Sequence, residues 1–299
     1  MHVIVGASGN TGHVAALTLL SLGEKVRVVA RNADKLEPLA TKGAEIFTAD
    51  VTDSGALTKA LAGGDCAYVM IPPNLSTPDF RAFQERVTDS LVNAINRSRL
   101  SHVVSLSSVG ADKASGTGPV VGLHNMEQKL NQTAVPNILH VRAGYFMENT
   151  LPQAGVIRMT GSCMGPLRPD LKVPLIASRD VGAYAAEALA KRNFQGKRTQ
   201  ELLGPRDVDY KEIAAEIGKA IGKPELRYIQ APNEQLRGAM TQMGMSGSVV
   251  DLILEMAGAL NSGHMRALEP RSGKNTTPTS YDAFVSEALV PRYEEQAAA

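Results

Sequence analysis

The stretch Gly6-Ala7-Ser8-Gly9-Asn10-Thr11-Gly12 follows the apolar run His2-Val3-Ile4-Val5 and opens a helical pattern through Leu22. Strand, glycine turn and helix in that order form the βα unit of a dinucleotide site. Glycines permit the tight turn and let backbone N–H groups approach a pyrophosphate at the helix N-terminus, where the helix dipole favours negative charge. Gly6, Ala7, Ser8, Gly9, Asn10, Thr11 and Gly12 are therefore candidate cofactor contacts. Spaced glycines alone are a weak signal in a chain with 27 of them. The strand before and the helix after give the motif its weight.

Outward from that turn, short apolar runs recur at Lys25–Ala30, Glu45–Thr48, Cys66–Ile71, His102–Leu106 and Ile138–Val141. Helical patterns alternate with them over Thr11–Leu22, Ala33–Thr41, Ser54–Leu61, Pro78–Arg97 and Leu123–Gln132. Such alternation predicts an α/β Rossmann fold, a doubly wound parallel sheet in the order 3-2-1-4-5-6. Pro78 suits a first helical position, with Ser76 or Thr77 as cap.

The end of the second strand sets the cofactor expectation. An NAD site commonly places Asp or Glu there to bond the ribose 2′-hydroxyl. Here the strand runs into Arg31, then Asn32, with Lys35 a turn on. An arginine offers a fork of donors to a 2′-phosphate, so the reading is NADP(H). Asp50 and Val51, after the third strand, are placed to meet an adenine ring; Asp50 is equally suited to a turn, with Thr52 and Asp53 as caps. Ile71, Pro72 and Pro73, after the fourth strand, join the candidate cofactor set.

After residue 149 the pattern changes. Glycines and prolines break the chain into loops and short strands, Asp180 is a candidate helix cap, and Asp209 and Glu212 have capping-box spacing ahead of a helix over Tyr210–Ile221. A Met-rich stretch, Asn233–Leu260, predicts one or two further helices. The expected organisation is a Rossmann domain over 1–149 and a smaller C-terminal α/β domain over 150–299 that closes a substrate cleft, with some segments returning to the sheet. The tail Glu294–Ala299 is expected to fray.

Composition narrows the function. Lys and Arg number 31 against 30 Asp and Glu, a formal charge of +1, which excludes a strongly basic nucleic-acid surface. Two cysteines cannot form a disulfide framework or a four-ligand zinc site, and no metal site is expected. The first residues lack a basic region, an apolar core and a cleavage site, and no run approaches a membrane span, so the expected location is cytoplasmic. Nothing in the sequence sets an oligomeric state.

The motifs GASGNTG (6–12), VVARN (28–32), TADVTD (48–53), VVSLSSVGAD (103–112), LHNMEQKL (123–130) and RAGYFMEN (142–149) together resemble the NmrA-like family, atypical members of the short-chain dehydrogenase/reductase superfamily. The resemblance covers about residues 1–220. It implies NADP(H), a Rossmann domain and a small closing domain. It also implies one of two activities: reduction of quinones, azo dyes or triphenylmethane dyes, or dinucleotide sensing through a regulatory protein partner. The favoured expectation is hydride transfer to a small flat aromatic acceptor. Ordinary short-chain dehydrogenases use Tyr-x-x-x-Lys, in which the lysine lowers the tyrosine pKa. Here His124 and Gln128 fall at those places, which argues against ordinary carbonyl reduction. His124 is the candidate proton donor and substrate contact, or else a structural histidine. Ser107, with Ser108, falls where the dehydrogenase serine sits. Tyr145 and Phe146 are expected near the nicotinamide, and Asn149 near the substrate.

Overall fold

A computed structural model describes residues 1–298. Its centre is a seven-stranded parallel sheet. In chain order the strands are β1 (His2–Val5), β2 (Val26–Ala30), β3 (Glu45–Thr48), β4 (Cys66–Val69), β5 (His102–Ser108) and β6 (Asn137–Ala143). Next come β7 (Tyr145–Phe146), β8 (Cys163–Gly165), β9 (Val173–Ile176), β10 (Lys197–Leu202), β11 (Asp207–Val208) and β12 (Tyr228–Gln230). The large sheet runs β3-β2-β1-β4-β5-β6-β10, the expected six-strand order with β10 added at the edge. β11-β9-β7 and β12-β8 form two small sheets beyond it.

The helices are α1 (Asn10–Ser21), α2 (Glu37–Ala40), α3 (Ser54–Leu61), α4 (Phe80–Asn96), α5 (Val120–Asn131) and α6 (Gln153–Thr160). They continue with α7 (Ser178–Lys191), α8 (Tyr210–Ala220), α9 (Asn233–Gln242), α10 (Gly247–Ser262), α11 (Tyr281–Phe284) and α12 (Val290–Ala298). Among the described residues no helix is long and apolar enough to cross a membrane.

Several helix starts follow side-chain caps. Asp53 Oδ1 accepts from the Ala56 amide at 2.9 Å and starts α3. Asp209 and Glu212 complete a capping box at α8. Two expectations are corrected. The fourth helix begins at Phe80, because the Asp79 carboxylate takes the Ala82 amide at 2.9 Å; Pro78 lies outside it, and Ser76 and Thr77 cap nothing there. Asp180 is inside α7 and does not cap it. Its carboxylate instead accepts the Thr279 amide at 3.0 Å and the Thr279 hydroxyl at 2.7 Å, tying the last third of the chain to the sheet. The last helix, α12, runs to Ala298, and Ala299 lies outside the described residues.

Both sheet faces are buried, which is why the central strands are runs of Val, Ile and Leu without alternation. On one face Ile4, Val28, Tyr68 and Val141 pack under α1 and α7. On the other Val3, Val5, Val69 and Val103 pack under α3, α4 and α5. A third cluster, around Tyr210, Ile213, Ile217 and Leu260, forms the C-terminal body. Residues 178–203 cross the expected division at 149/150: α7 lies on α1, and β10 pairs in parallel with β6. Gly182 makes the first contact possible, since a Cβ there would stand 2.5 Å from the Thr11 carbonyl oxygen.

Candidate functional site

The strand order reverses between β1 and β4, and in open α/β sheets the crevice beyond that point is the ligand site. β1 ends in the glycine turn. Gly6 has φ +77°, and a Cβ on it would meet Met70 Sδ at 2.8 Å, just past β4. A Cβ on Gly12 would stand 2.5 Å from the Gly6 carbonyl oxygen. Gly9 is different: its nearest neighbour for an added Cβ is that same oxygen at 3.4 Å. The space above Gly9 is thus open, and the residue is exposed. No side chain caps α1, and no acidic residue sits in its first turn. The amides of Asn10, Thr11 and Gly12, which have no acceptor within a helix start, are left for an anion. The turn fits a dinucleotide pyrophosphate on geometry alone.

Ser8 and Asn10 are exposed at the turn and Ala7 is fully buried. Thr11 is buried, and its hydroxyl oxygen accepts from Tyr68 at 2.8 Å, so its side chain braces the turn from below. Arg31, Asn32, Lys35 and Asp50 are exposed beside the turn, with Val51 buried next to them. Asn32 Oδ1 accepts from the Asp34 amide at 2.8 Å, which makes Asn32 a turn former. Asp50 also makes the turn that its sequence allowed: Oδ1 accepts from the Thr52 hydroxyl at 2.6 Å and amide at 2.8 Å. These bonds, with the Arg31 charge nearby, hold its carboxyl below the usual range.

A cavity of about 860 Å³ starts at Gly9, Asn10 and Thr11 and runs to α10. Ile71, Pro73, Ser107, Ser108, Tyr145, Phe146 and Asn149 border it; Pro72, between two of them, does not. The far wall is apolar, built from Phe80, Leu252, Ile253, Met256 and Leu260.

His124 is the main correction. It does not border the cavity, and its Nδ1 donates to the Ala111 carbonyl at 2.8 Å, pinning the loop before α5. The helix begins at Val120, so Val120 and Leu123 face the cavity and His124 lies one position further round.

The same rotation buries a residue that sequence reasoning missed. Glu127 is 1% exposed. It accepts the Ser107 hydroxyl at 2.5 Å, and Arg142 Nε and Nη2 at 2.9 and 2.6 Å. A two-toothed arginine–carboxylate pair is among the strongest side-chain contacts, and Glu127 raises the Arg142 pKa mainly by hydrogen bonding. The signal was present in the sequence: Arg142 is the one Lys, Arg, Asp or Glu in the strand Asn137–Ala143, and a charge there needs a partner. Beside it His140, buried on β6, bonds Ser105 Oγ through Nδ1 at 2.6 Å and Asn131 Oδ1 through Nε2 at 3.0 Å. Burial lowers its pKa to about 4, so the ring is neutral.

Parallel sheet, open glycine turn and a largely apolar cavity define a Rossmann-type α/β protein with a ligand cleft at its switch point. The sequence assigns it further: the NmrA-like family model matches residues 2–278, and the chain belongs to that family. It is 29% identical over 256 residues to an NAD(P)H azoreductase of Xenophilus azovorans, covering 86% of each chain. It is 27% identical over 257 residues to quinone oxidoreductase 2 of Escherichia coli, covering 85% of this chain and 86% of that one. In fold it is similar to a solved NADPH-dependent quinone oxidoreductase of Escherichia coli complexed with NADPH, with a TM-score of 0.80 at 23% identity, over 96% and 99% of the two chains.

Proposed function

We propose that this protein uses NADPH to reduce small, flat, electron-poor aromatic acceptors of the quinone or azo type. The observation that carries this reading is the continuous cavity from the glycine turn to the apolar wall of α10. A protein that only senses a dinucleotide through a partner has no need of an apolar wall of Phe80, Leu252, Ile253 and Met256 in the same cleft. The names of the curated relatives, an azoreductase and a quinone oxidoreductase, support the same class of chemistry.

The amides of Asn10, Thr11 and Gly12 would bind the pyrophosphate, with Gly9 leaving room for its approach. Arg31 and Lys35 would take the 2′-phosphate, and Asp50 and Val51 would border the adenine. Ile71, Pro73, Ser107, Tyr145 and Phe146 line the cavity at the ring end, with Asn149 toward the acceptor. When bound, the dinucleotide supplies the hydride donor. The apolar wall excludes water and lays a flat molecule against the cleft.

The test is loss of NADPH absorbance against a panel of quinones and azo dyes, with NADH in parallel and Gly9→Val as control. NADPH should be the better reductant, and Gly9→Val should fold yet bind no NADPH. If no acceptor speeds NADPH oxidation while calorimetry shows tight binding, the reductase reading is overturned and dinucleotide sensing takes its place.

A further inference from the structure

The charged side chains on the cavity lining are Glu148, Asp207 and Glu269 against Lys172, Arg266 and Arg271. The carboxylates are all engaged. Glu148 accepts the Ser178 amide at 3.0 Å and the Ser178 hydroxyl, at the first turn of α7, where the helix dipole offsets its charge. Asp207 pairs with Arg271. Glu269 accepts Gln200 Nε2 at 3.2 Å, and its charge reaches Tyr184 of α7, which does not border the cavity.

The cations are not matched in the same way. Arg271 is committed to Asp207 and to the Gly204 carbonyl at 2.9 Å. Lys172 and Arg266 are exposed, so a molecule in the cleft can reach them. Among the described residues neither forms an ion pair or a side-chain hydrogen bond. The carboxylate that senses Lys172 is Glu212, which already accepts the Asp209 amide and Arg206 Nη1, each at 3.0 Å.

The fold brings these two cations to one end of the cleft. Lys172 precedes β9, whose Pro174 lies over Gly144: an added Cβ there would stand 2.3 Å from the Pro174 carbonyl oxygen. Arg266 follows Met265, which packs on Gly110 just past β5. The Glu201 carboxylate takes the Leu268 and Glu269 amides at 2.9 and 2.8 Å and holds this segment at the end of β10. Asp207 faces Pro174 across the β9–β11 pair and binds Arg271, so the segments of Lys172 and Arg266 are tied to each other. The glycine turn and Arg31, proposed to take the phosphates of the dinucleotide, belong to β1 and β2. That leaves the pair at the far end free for a second anion, and the apolar walls between sharpen its field.

We propose that the acceptor is a flat aromatic molecule bearing an anionic substituent, a carboxylate or a sulfonate, which Lys172 and Arg266 receive while the apolar wall holds the rings. The inference rests on the reading of this cavity as the acceptor site and adds the charge of its occupant. It makes Lys172 and Arg266 specificity-determining residues.

Three isosteres that differ in charge test it: azobenzene-4-carboxylate, its primary carboxamide, and its carboxamidine, which is a cation. Each is measured by equilibrium dialysis with NADP+ present, so that no turnover occurs and the glycine turn is filled. At low salt the wild type should bind the carboxylate about fivefold or more tighter than the carboxamide, the worth of two exposed ion contacts, and the carboxamidine more weakly than either. Raised salt should narrow the gap. Lys172→Met and Arg266→Met should each lower the carboxylate-to-carboxamide ratio, and the double variant should bring it to within about twofold of one. Lys172→Arg and Arg266→Lys should keep it. A change of cavity shape alone would weaken carboxylate and carboxamide together and leave the ratio standing. Equal binding of the two by the wild type, or an undiminished ratio in the folded double variant, would overturn the inference. Binding of none of the three, with NADP+ still bound, would overturn the acceptor-site reading and this inference with it.

Discussion

The two ends of the cavity are made of different material. At the glycine turn the surface is backbone: three helix-start amides, two glycines with no room for a Cβ, and one glycine kept open. At α10 the surface is side chain: Leu252, Ile253, Met256 and Leu260, any of which could be exchanged for another apolar residue of similar volume. Backbone geometry demands particular residues at particular spacings, whereas a side-chain wall demands only size and polarity. The first end is therefore written in the sequence as a motif, and the second only as a composition.

The sharpest way to break this contrast is at the point where the sheet end departs from backbone and relies on buried charge. Glu127→Ala leaves Arg142 unpaired in a site where Glu127 is 2% and Arg142 13% exposed at the side chain. It should cost about 3–5 kcal/mol, read as a fall in the urea midpoint at unchanged slope.

The neighbouring His140 gives a pH signature to the same end. Its folded pKa, about 4, lies below the ordinary histidine value of 6.5, so between those values the unfolded chain holds more protons than the folded one. Its contribution is fully present above pH 6.5 and is lost as pH falls toward 4, to a total of about 3 kcal/mol. Urea titrations across that window should show the loss in the wild type, and His140→Gln should flatten it. An equal slope in both would remove His140 from the account.

At the exposed shelf beside the turn the effect is smaller and lies in cofactor choice. One charge-assisted fork to a phosphate is worth about 1.5–3 kcal/mol, so the wild type should bind NADPH roughly 10- to 150-fold tighter than NADH at low salt. The gap should narrow as salt rises. Arg31→Asp should reverse the order, and calorimetry with both dinucleotides reads it directly.

The smallest effect belongs to the outer cap. α9 has no buried residue, and Met243 just past it is 56% exposed. Met243→Ser should move stability by less than about 0.5 kcal/mol. A larger change would mean that the cap is held from outside as the sheet is.

What could be read from residues alone follows the same division. Strand order, the third helix and the capping box at Asp209 were legible because period, turn residues and caps act over a few positions. The rotation of α5 was not. The resemblance to the dehydrogenase Tyr-x-x-x-Lys pattern set His124 and Gln128 in the functional places. The actual start at Val120, after Pro119, instead turns Val120 and Leu123 to the cavity and Glu127 into the core. Asp180 misled for a related reason: its partner, Thr279, lies 99 residues away. Asp50 carried two readings in sequence, and its bonds to Thr52 show the turn, while the adenine contact stays part of the proposed cofactor site.

The contact of Gly182 with α1 has a consequence for how such a protein can be rebuilt. The helix that carries Gly182 comes from the C-terminal half, yet it covers the same face of the sheet as α1, and β10 after it completes the sheet edge. A cut at residue 149 would strip that cover from Ile4, Tyr68 and Val141. The cap is therefore not a module that can be detached by sequence position. An exchange of caps between relatives would have to graft two separate segments, residues 144–177 and 204–280, around a retained 178–203. Chimeras built that way should keep the nucleotide end of the cleft intact while the acceptor end changes.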